Sequence, residues 1–229
     1  MSKQLSVVLA HGAWADGSSW SKVIAALARH GVEAVAVSLP LTSLADDVAA
    51  LDRTLDRAGG PVVLAGHAYA GGVIGATRHA AVKALVYVAA MAPAEGEVVA
   101  APYQFNPPHP QAPKLEPDAN GLIWLPREAF AAAFAHNATA EELAVLRAVQ
   151  RPLSAACISQ PVGRPLWLDV PSWYLLAKQD RMIVEPTQRL MAGRMKARVH
   201  EVDADHTPLV TAPDAVVEVI LQAVQAASV

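Results

Sequence analysis

Three stretches carry residue types that can do chemistry together. Gly66-His67-Ala68-Tyr69-Ala70 follows a short β-branched run, Val62 to Ala65, and precedes Val73, Ile74 and Ala76, which read as a packed helix. A strand, a sharp turn of small residues and a helix make a nucleophile elbow, which holds one side chain beyond the carboxyl end of a sheet. The next backbone N–H points at the same spot. In the pattern G-x-S-x-G the held residue is serine; here it is Ala68. Further on, Asp180 closes one apolar run and His206 follows the next. A histidine can take a proton from a hydroxyl near neutral pH, and a buried carboxylate fixes its tautomer and stabilises the imidazolium. The chain order of nucleophile position, acid and histidine is one in which that triad occurs. Asp203 and Asp205 compete for the acid role, but they lie too close to His206 in sequence to suit the layout. Each feature alone has a plainer reading: a packing turn, a helix-capping acid, a satisfied loop histidine. Their joint placement favours a site.

These residues need a scaffold, and the flanking pattern supplies one. Leu5 to Ala10 reads as a central strand that ends in His11-Gly12-Ala13-Trp14, whose small residues can turn backbone N–H groups toward a developing negative charge. Trp20, Val23, Ile24 and Leu27 mark a helix, Val32 to Leu39 a strand, and Leu44, Val48, Leu51 and Leu55 a second helix. Asp46 and Asp47 fall in that helix's first turns, where the dipole favours them. Ala84 to Ala90, Ser172 to Ala177 and Val199 to Val202 complete the strands, with helices from about Glu185 to Met195 and from Thr211 onward. Strict alternation of this kind implies a mostly parallel, doubly wound α/β sheet that binds ligands beyond its carboxyl ends. The expected core is 1–91 with 171–229. Between them, 92–170 is proline-rich, with short helices expected at Glu128 to His136 and Ala140 to Val149, and it reads as a small, mainly helical cap. Trp14, Tyr103, Trp124, Phe130 and Phe134 are the aromatic candidates for lining a pocket beneath it.

Composition narrows the function classes. A length of 229 residues suits one α/β domain with an insertion, and a net charge of −3 argues against a nucleic-acid or anionic-membrane partner. No run is long and apolar enough for a membrane span, and the N-terminus reads as no signal peptide, so the cytoplasm is the expected location. Cys157 is the single cysteine, read as a small buried hydrophobe. His11, His67 and His206 lack partners at metal-ligand spacing. Oligomeric state is open, a homodimer included.

Taken together, His11-Gly12-Ala13-Trp14, Gly66-His67-Ala68-Tyr69-Ala70-Gly71-Gly72, Ser172-Trp173-Tyr174-Leu175 leading to Asp180, and Asp205-His206-Thr207-Pro208 with the Pro213-Asp214-Ala215-Val216 helix start resemble the compact α/β-hydrolase esterases related to plant methyl-ester esterases and hydroxynitrile lyases. The resemblance spans nearly the whole chain. It implies an α/β-hydrolase fold, an oxyanion hole from the N–H groups of Ala13 and Tyr69, a small ester as partner and no cofactor. Gly12 and Thr207 stand where the lyase branch looks for threonine and lysine, so the esterase branch is the match. The departure is Ala68 itself. Three readings follow: an esterase disabled by serine-to-alanine replacement to trap a ligand, a natural receptor that keeps the pocket, or a cofactor-free enzyme run by His206 and Asp180 without a serine.

Overall fold

A computed structural model describes residues 4–228. In chain order the core begins with β1 (Ser6–Ala10), α1 (Ser21–Arg29), β2 (Ala34–Val37), α2 (Leu44–Ala58), β3 (Val62–His67), α3 (Ala70–Ala76) and β4 (Val82–Val88). The segment after β4 holds β5 (Leu122–Ile123), α4 (Arg127–Ala129), α5 (Ala140–Ala148), β6 (Leu153–Ser154) and α6 (Ala156–Ser159). The core resumes with β7 (Ser172–Ala177), α7 (Glu185–Arg194), β8 (Arg198–Val202), α8 (Pro208–Thr211) and α9 (Pro213–Ala227).

The six core strands form one sheet in the order β2-β1-β3-β4-β7-β8, every neighbouring pair parallel. β1, β3 and β7 are buried at every position, which is why their sequences show no polar alternation. The first crossover runs from β1 to one side and the next returns past it to the other. The loops leaving β1 and β3 therefore part from adjacent strands and open a crevice at their carboxyl ends. Register Ala10 to Gly66 sets His11-Gly12 beside His67-Ala68.

Local signals set the helix ends. Ser43 caps α2 by accepting from the Asp46 N–H at 3.1 Å, and Gly59 closes it in the left-handed region, φ 62°. Thr139 and Glu142 form a reciprocal capping box on α5. α3 starts directly from the elbow, and its Gly71 lies against the Met91 carbonyl; a Cβ there would come within 2.1 Å of that oxygen.

The segment between β4 and β7 lies over the crevice as a cap. The helix expected over Glu128 to His136 is α-helical only through α4; at 130–134 it widens to a π turn, with the Ala135 N–H donating to the Phe130 carbonyl at 2.7 Å. That turn buries both Phe130 and Phe134, their rings 5.5 Å apart. The cap also holds the antiparallel pair β5–β6, whose two-residue strands are too short to show alternation in the sequence. The pair is tied to the core: the Trp14 indole N–H donates to the Ile123 carbonyl at 2.9 Å, and the Ser154 N–H to the Leu41 carbonyl at 3.0 Å. No helix among the described residues is long and apolar enough to cross a membrane.

Candidate active site

The elbow is formed. Ala68 has φ +49°, a left-handed conformation that a residue with a Cβ adopts only where its surroundings impose it. Two backbone bonds impose it here: the Ala68 N–H donates to the Val88 carbonyl at 3.3 Å, and its own carbonyl accepts from Met91 at 2.9 Å. Gly12 packs against the turn so closely that a Cβ would meet Ala68 Cβ at 3.0 Å and His67 Nδ1 at 2.9 Å. Only glycine lets the β1 loop approach the elbow to this extent. Next to it, Trp14 is also left-handed, φ +57°. Neither the Ala13 nor the Tyr69 N–H donates to a protein group among the described residues.

β7 and β8 deliver the acid and the histidine. His206 Nδ1 donates to Asp180 Oδ2 at 2.8 Å, and both side chains are buried. Asp180 is itself held: its Oδ1 accepts the Met182 and Ile183 N–H groups at 2.7 and 2.8 Å, and Oδ2 accepts the Gln188 amide at 3.0 Å. The rest of Gln188 bonds to both the N–H and the carbonyl of Ala177, so the end of β7, the acid and α7 form one unit. The imidazole thus has a fixed tautomer, and Nε2 is left for the cavity that His206 lines. The competing acids have other tasks. Asp203 pairs with Lys178 at the surface. Asp205 accepts the Asn137, Thr207 and Thr211 donors and so anchors the cap to the histidine loop.

Two further histidines support this arrangement. His67 Nε2 donates to the His206 backbone carbonyl at 2.7 Å, tying the elbow to the histidine loop. Burial, the nearby His206 and, less so, His11 push its pKa down to about 3. His11 Nδ1 donates to the Gly12 carbonyl and Nε2 accepts the Leu39 N–H, and burial lowers its pKa too. Both are buried and tie loops together at the carboxyl ends of the strands. Among the described residues, His11 is hydrogen-bonded at both ring nitrogens and His67 at Nε2 alone, and composition and periodicity display neither set of partners.

A cavity of about 270 Å³ opens over Ala68 and His206. Its core wall includes Ala13, Trp14, Tyr69, Met91 and Met182; its cap wall includes Val99, Tyr103, Leu115, Ile123, Leu153 and Ile158. Of the aromatics singled out from the sequence, Trp14 and Tyr103 line it. Trp124 does not: it is 48% exposed on the outer surface. Phe130 and Phe134 do not reach the lining either. They are core residues behind it, with the Phe134 ring against both Trp14 and His206. Aromatic type within a cap helix does not say on which side of the wall a ring sits.

The sequence reading gives the Asp47 carboxylate a place in its helix but no partner. It lies in the first turn of α2 as expected, and it is fully buried, accepting from the Tyr69 hydroxyl at 2.6 Å and the Leu41 N–H at 2.7 Å. The signal was present: position 47 shares a helix face with Leu44, Leu51 and Leu55. Among the described residues there is no cluster of His, Cys, Asp or Glu that could hold a metal ion.

A crossover-reversed parallel sheet with an elbow after β3 and a paired acid and histidine after β7 and β8 defines a fold class, and the comparison with known families agrees. The alpha/beta hydrolase family matches residues 7–219, and the chain belongs to that family. Among individual proteins, it is 26% identical over 243 residues to the alpha/beta hydrolase nvfD of Aspergillus novofumigatus (strain IBT 16806), covering 95% of this chain and 96% of that one. Its fold is shared with a pyrethroid hydrolase from Sphingobium faniae JZ-2, at TM-score 0.80 and 21% identity over 97% of this chain and 98% of that one. It is shared also with an Arabidopsis methylesterase, at TM-score 0.78 and 17% identity over 96% and 99%. Esterase-type hydrolases of this compact group, plant methylesterases included, are thus its structural neighbours.

Proposed function

We propose that this site binds small to medium apolar carboxylic esters and is a serine-esterase site disabled by alanine at the nucleophile position. The observation that carries the reading is Ala68 itself. It is held at φ +49° between the free Ala13 and Tyr69 N–H groups, with the cavity above it and the His206–Asp180 pair beside it. A strained backbone of this kind costs on the order of 1–3 kcal/mol, and strain of this kind clusters at active sites and ligand clamps. With serine at 68, the hydroxyl would give its proton to His206 Nε2 and attack the ester carbonyl. The Ala13 and Tyr69 N–H groups would hold the oxyanion, and Asp180 would steady the imidazolium. The alkoxide would leave with the proton from His206, and water would then release the acyl group by the same steps in reverse. The side-chain lining is almost wholly apolar, which suits an uncharged acyl or alkyl group.

Ala68 cannot form an acyl-enzyme, and loss of a triad serine costs about 10⁶ in rate, or about 8 kcal/mol of barrier. Binding loses one oxygen. The chain as it stands would therefore hold an uncleaved ester. The test is Ala68→Ser, with both proteins assayed on nitrophenyl esters of rising acyl length. We expect a gain of at least about 10³ in kcat/KM, within the scale set by serine removal, and inhibition by an organophosphate that leaves the alanine form untouched. No gain, with apolar ligands still bound by both forms, would overturn the esterase reading. The codon for position 68 in the source gene separates a made replacement from an inherited one.

A further inference from the structure

Asp47 is a fully buried acid for which the hydrolytic mechanism has no use. It has no ion-pair partner among the described residues, so its environment does not neutralise it. Burying a carboxylate is costly, and a packed apolar residue of similar volume would serve stability as well or better. What the carboxylate does have is donors from three parts of the chain. Oδ2 accepts the Tyr69 hydroxyl at 2.6 Å and faces the Cys157 thiol at 3.7 Å; Oδ1 accepts the Leu41 N–H at 2.7 Å. Burial pushes the pKa of Asp47 up, the Tyr69 phenol well up, and the Cys157 thiol to about 12, so the phenol and thiol remain donors at neutral pH.

Each donor leads somewhere. Tyr69 follows Ala68, lines the cavity and contributes one of the two free N–H groups beside the elbow. Leu41 is left-handed, φ +59°, and its carbonyl accepts the Ser154 N–H of β6. Arg151, also in the cap, donates to the Leu39 and Pro40 carbonyls of the same turn. Cys157 belongs to α6 of the cap. The cap therefore reaches the Tyr69 hydroxyl through one buried carboxylate.

We infer that Asp47 is a positioning residue for the oxyanion site: by holding the Tyr69 phenol it sets the Tyr69 N–H, and through Leu41 and Cys157 it makes that setting depend on a seated cap. The inference rests on the esterase reading above, since it assigns the Tyr69 N–H to the oxyanion. A donor aimed at an oxyanion acts in the transition state more than in ground-state binding. Displacing it should lower kcat and leave KM nearly unchanged, whereas loss of a mere pocket wall should raise KM.

The experiment uses the full chain in two forms. In the Ala68→Ser background, Asp47→Asn and Tyr69→Phe are each expected to lower kcat by about 10-fold or more, below the 10²–10³ of an outright donor deletion, with KM within about threefold. The double variant should be no worse than the more damaged single, because both act through one bond. In the Ala68 form, where no turnover is needed, Asp47→Asn should shift or broaden the backbone amide resonance of Tyr69, and Tyr69→Phe covers the case of an Asp47 variant that fails to fold. Additive losses, an effect on KM alone, or an unmoved Tyr69 amide would each overturn the assignment. If Ala68→Ser restores no activity, the esterase reading fails by itself. The amide shift then still decides whether Asp47 positions Tyr69.

Discussion

His67 shows how one buried side chain links the site to the stability of the whole chain. Its pKa in the folded protein is pushed down to about 3, chiefly by burial, against about 6.5 for an exposed histidine. Between those values the unfolded chain binds a proton that the folded chain does not. Stability is then full above about pH 6.5 and falls as the pH drops toward 3. His11 shifts in the same direction. Asp47, with its raised pKa, works in the opposite sense: the folded form takes up its proton first, which offsets part of the loss on acidification. We expect urea stability to decline between pH 7 and pH 4, with His67 and His11 each contributing a slope of up to about 1.4 kcal/mol per pH unit. His67→Asn should be less stable at pH 7 yet show a shallower slope. A variant with the parent slope would remove His67 from this account.

At the scale of elements, the contact between α3 and the chain after β4 is the tightest constraint near the elbow. The helix must start at once after Ala68, so its first turn is pressed against the strand exit, and only a residue without a side chain fits at Gly71. Gly71→Ala would place a methyl group 2.1 Å from the Met91 carbonyl oxygen, which is backbone and cannot swing aside. We expect a loss of about 3 kcal/mol or more, read as a fall in thermal midpoint or as failure to accumulate folded protein. Gly193, in α7, is the internal control, because a Cβ there meets nothing within 4 Å. Gly193→Ala should be neutral or stabilise by up to about 1 kcal/mol through helix propensity. Equal behaviour of the two variants would mean that the close approach at Gly71 is not what constrains the elbow.

Across the whole molecule, sheet, helices and cap share one hydrophobic cluster, which runs from Val7 in β1 through Ile123, Phe130 and Leu153 in the cap to Ile220 in α9. Elements that share a core melt together. We therefore expect one urea transition, with tryptophan fluorescence and far-UV circular dichroism coincident, although the chain is longer than most two-state domains. An earlier fluorescence transition, with the sheet signal retained, would show a cap that unfolds on its own. Alternation of apolar strands and amphipathic helices along the chain already determined the doubly wound sheet, the elbow after β3, and the placing of Asp180 and His206 at neighbouring strand ends. Those signals are local, because burial on one or both faces writes a period into the sequence. The tertiary structure decided what periodicity does not carry: which buried residue meets which. It paired His206 with Asp180 rather than Asp203 or Asp205, put Phe130 and Phe134 behind the cavity wall rather than in it, and turned Asp47 inward to the Tyr69 hydroxyl. A period reports that a face is covered; the partner that covers it comes from distant segments brought together by the crossovers, and one chain read alone holds no record of that meeting.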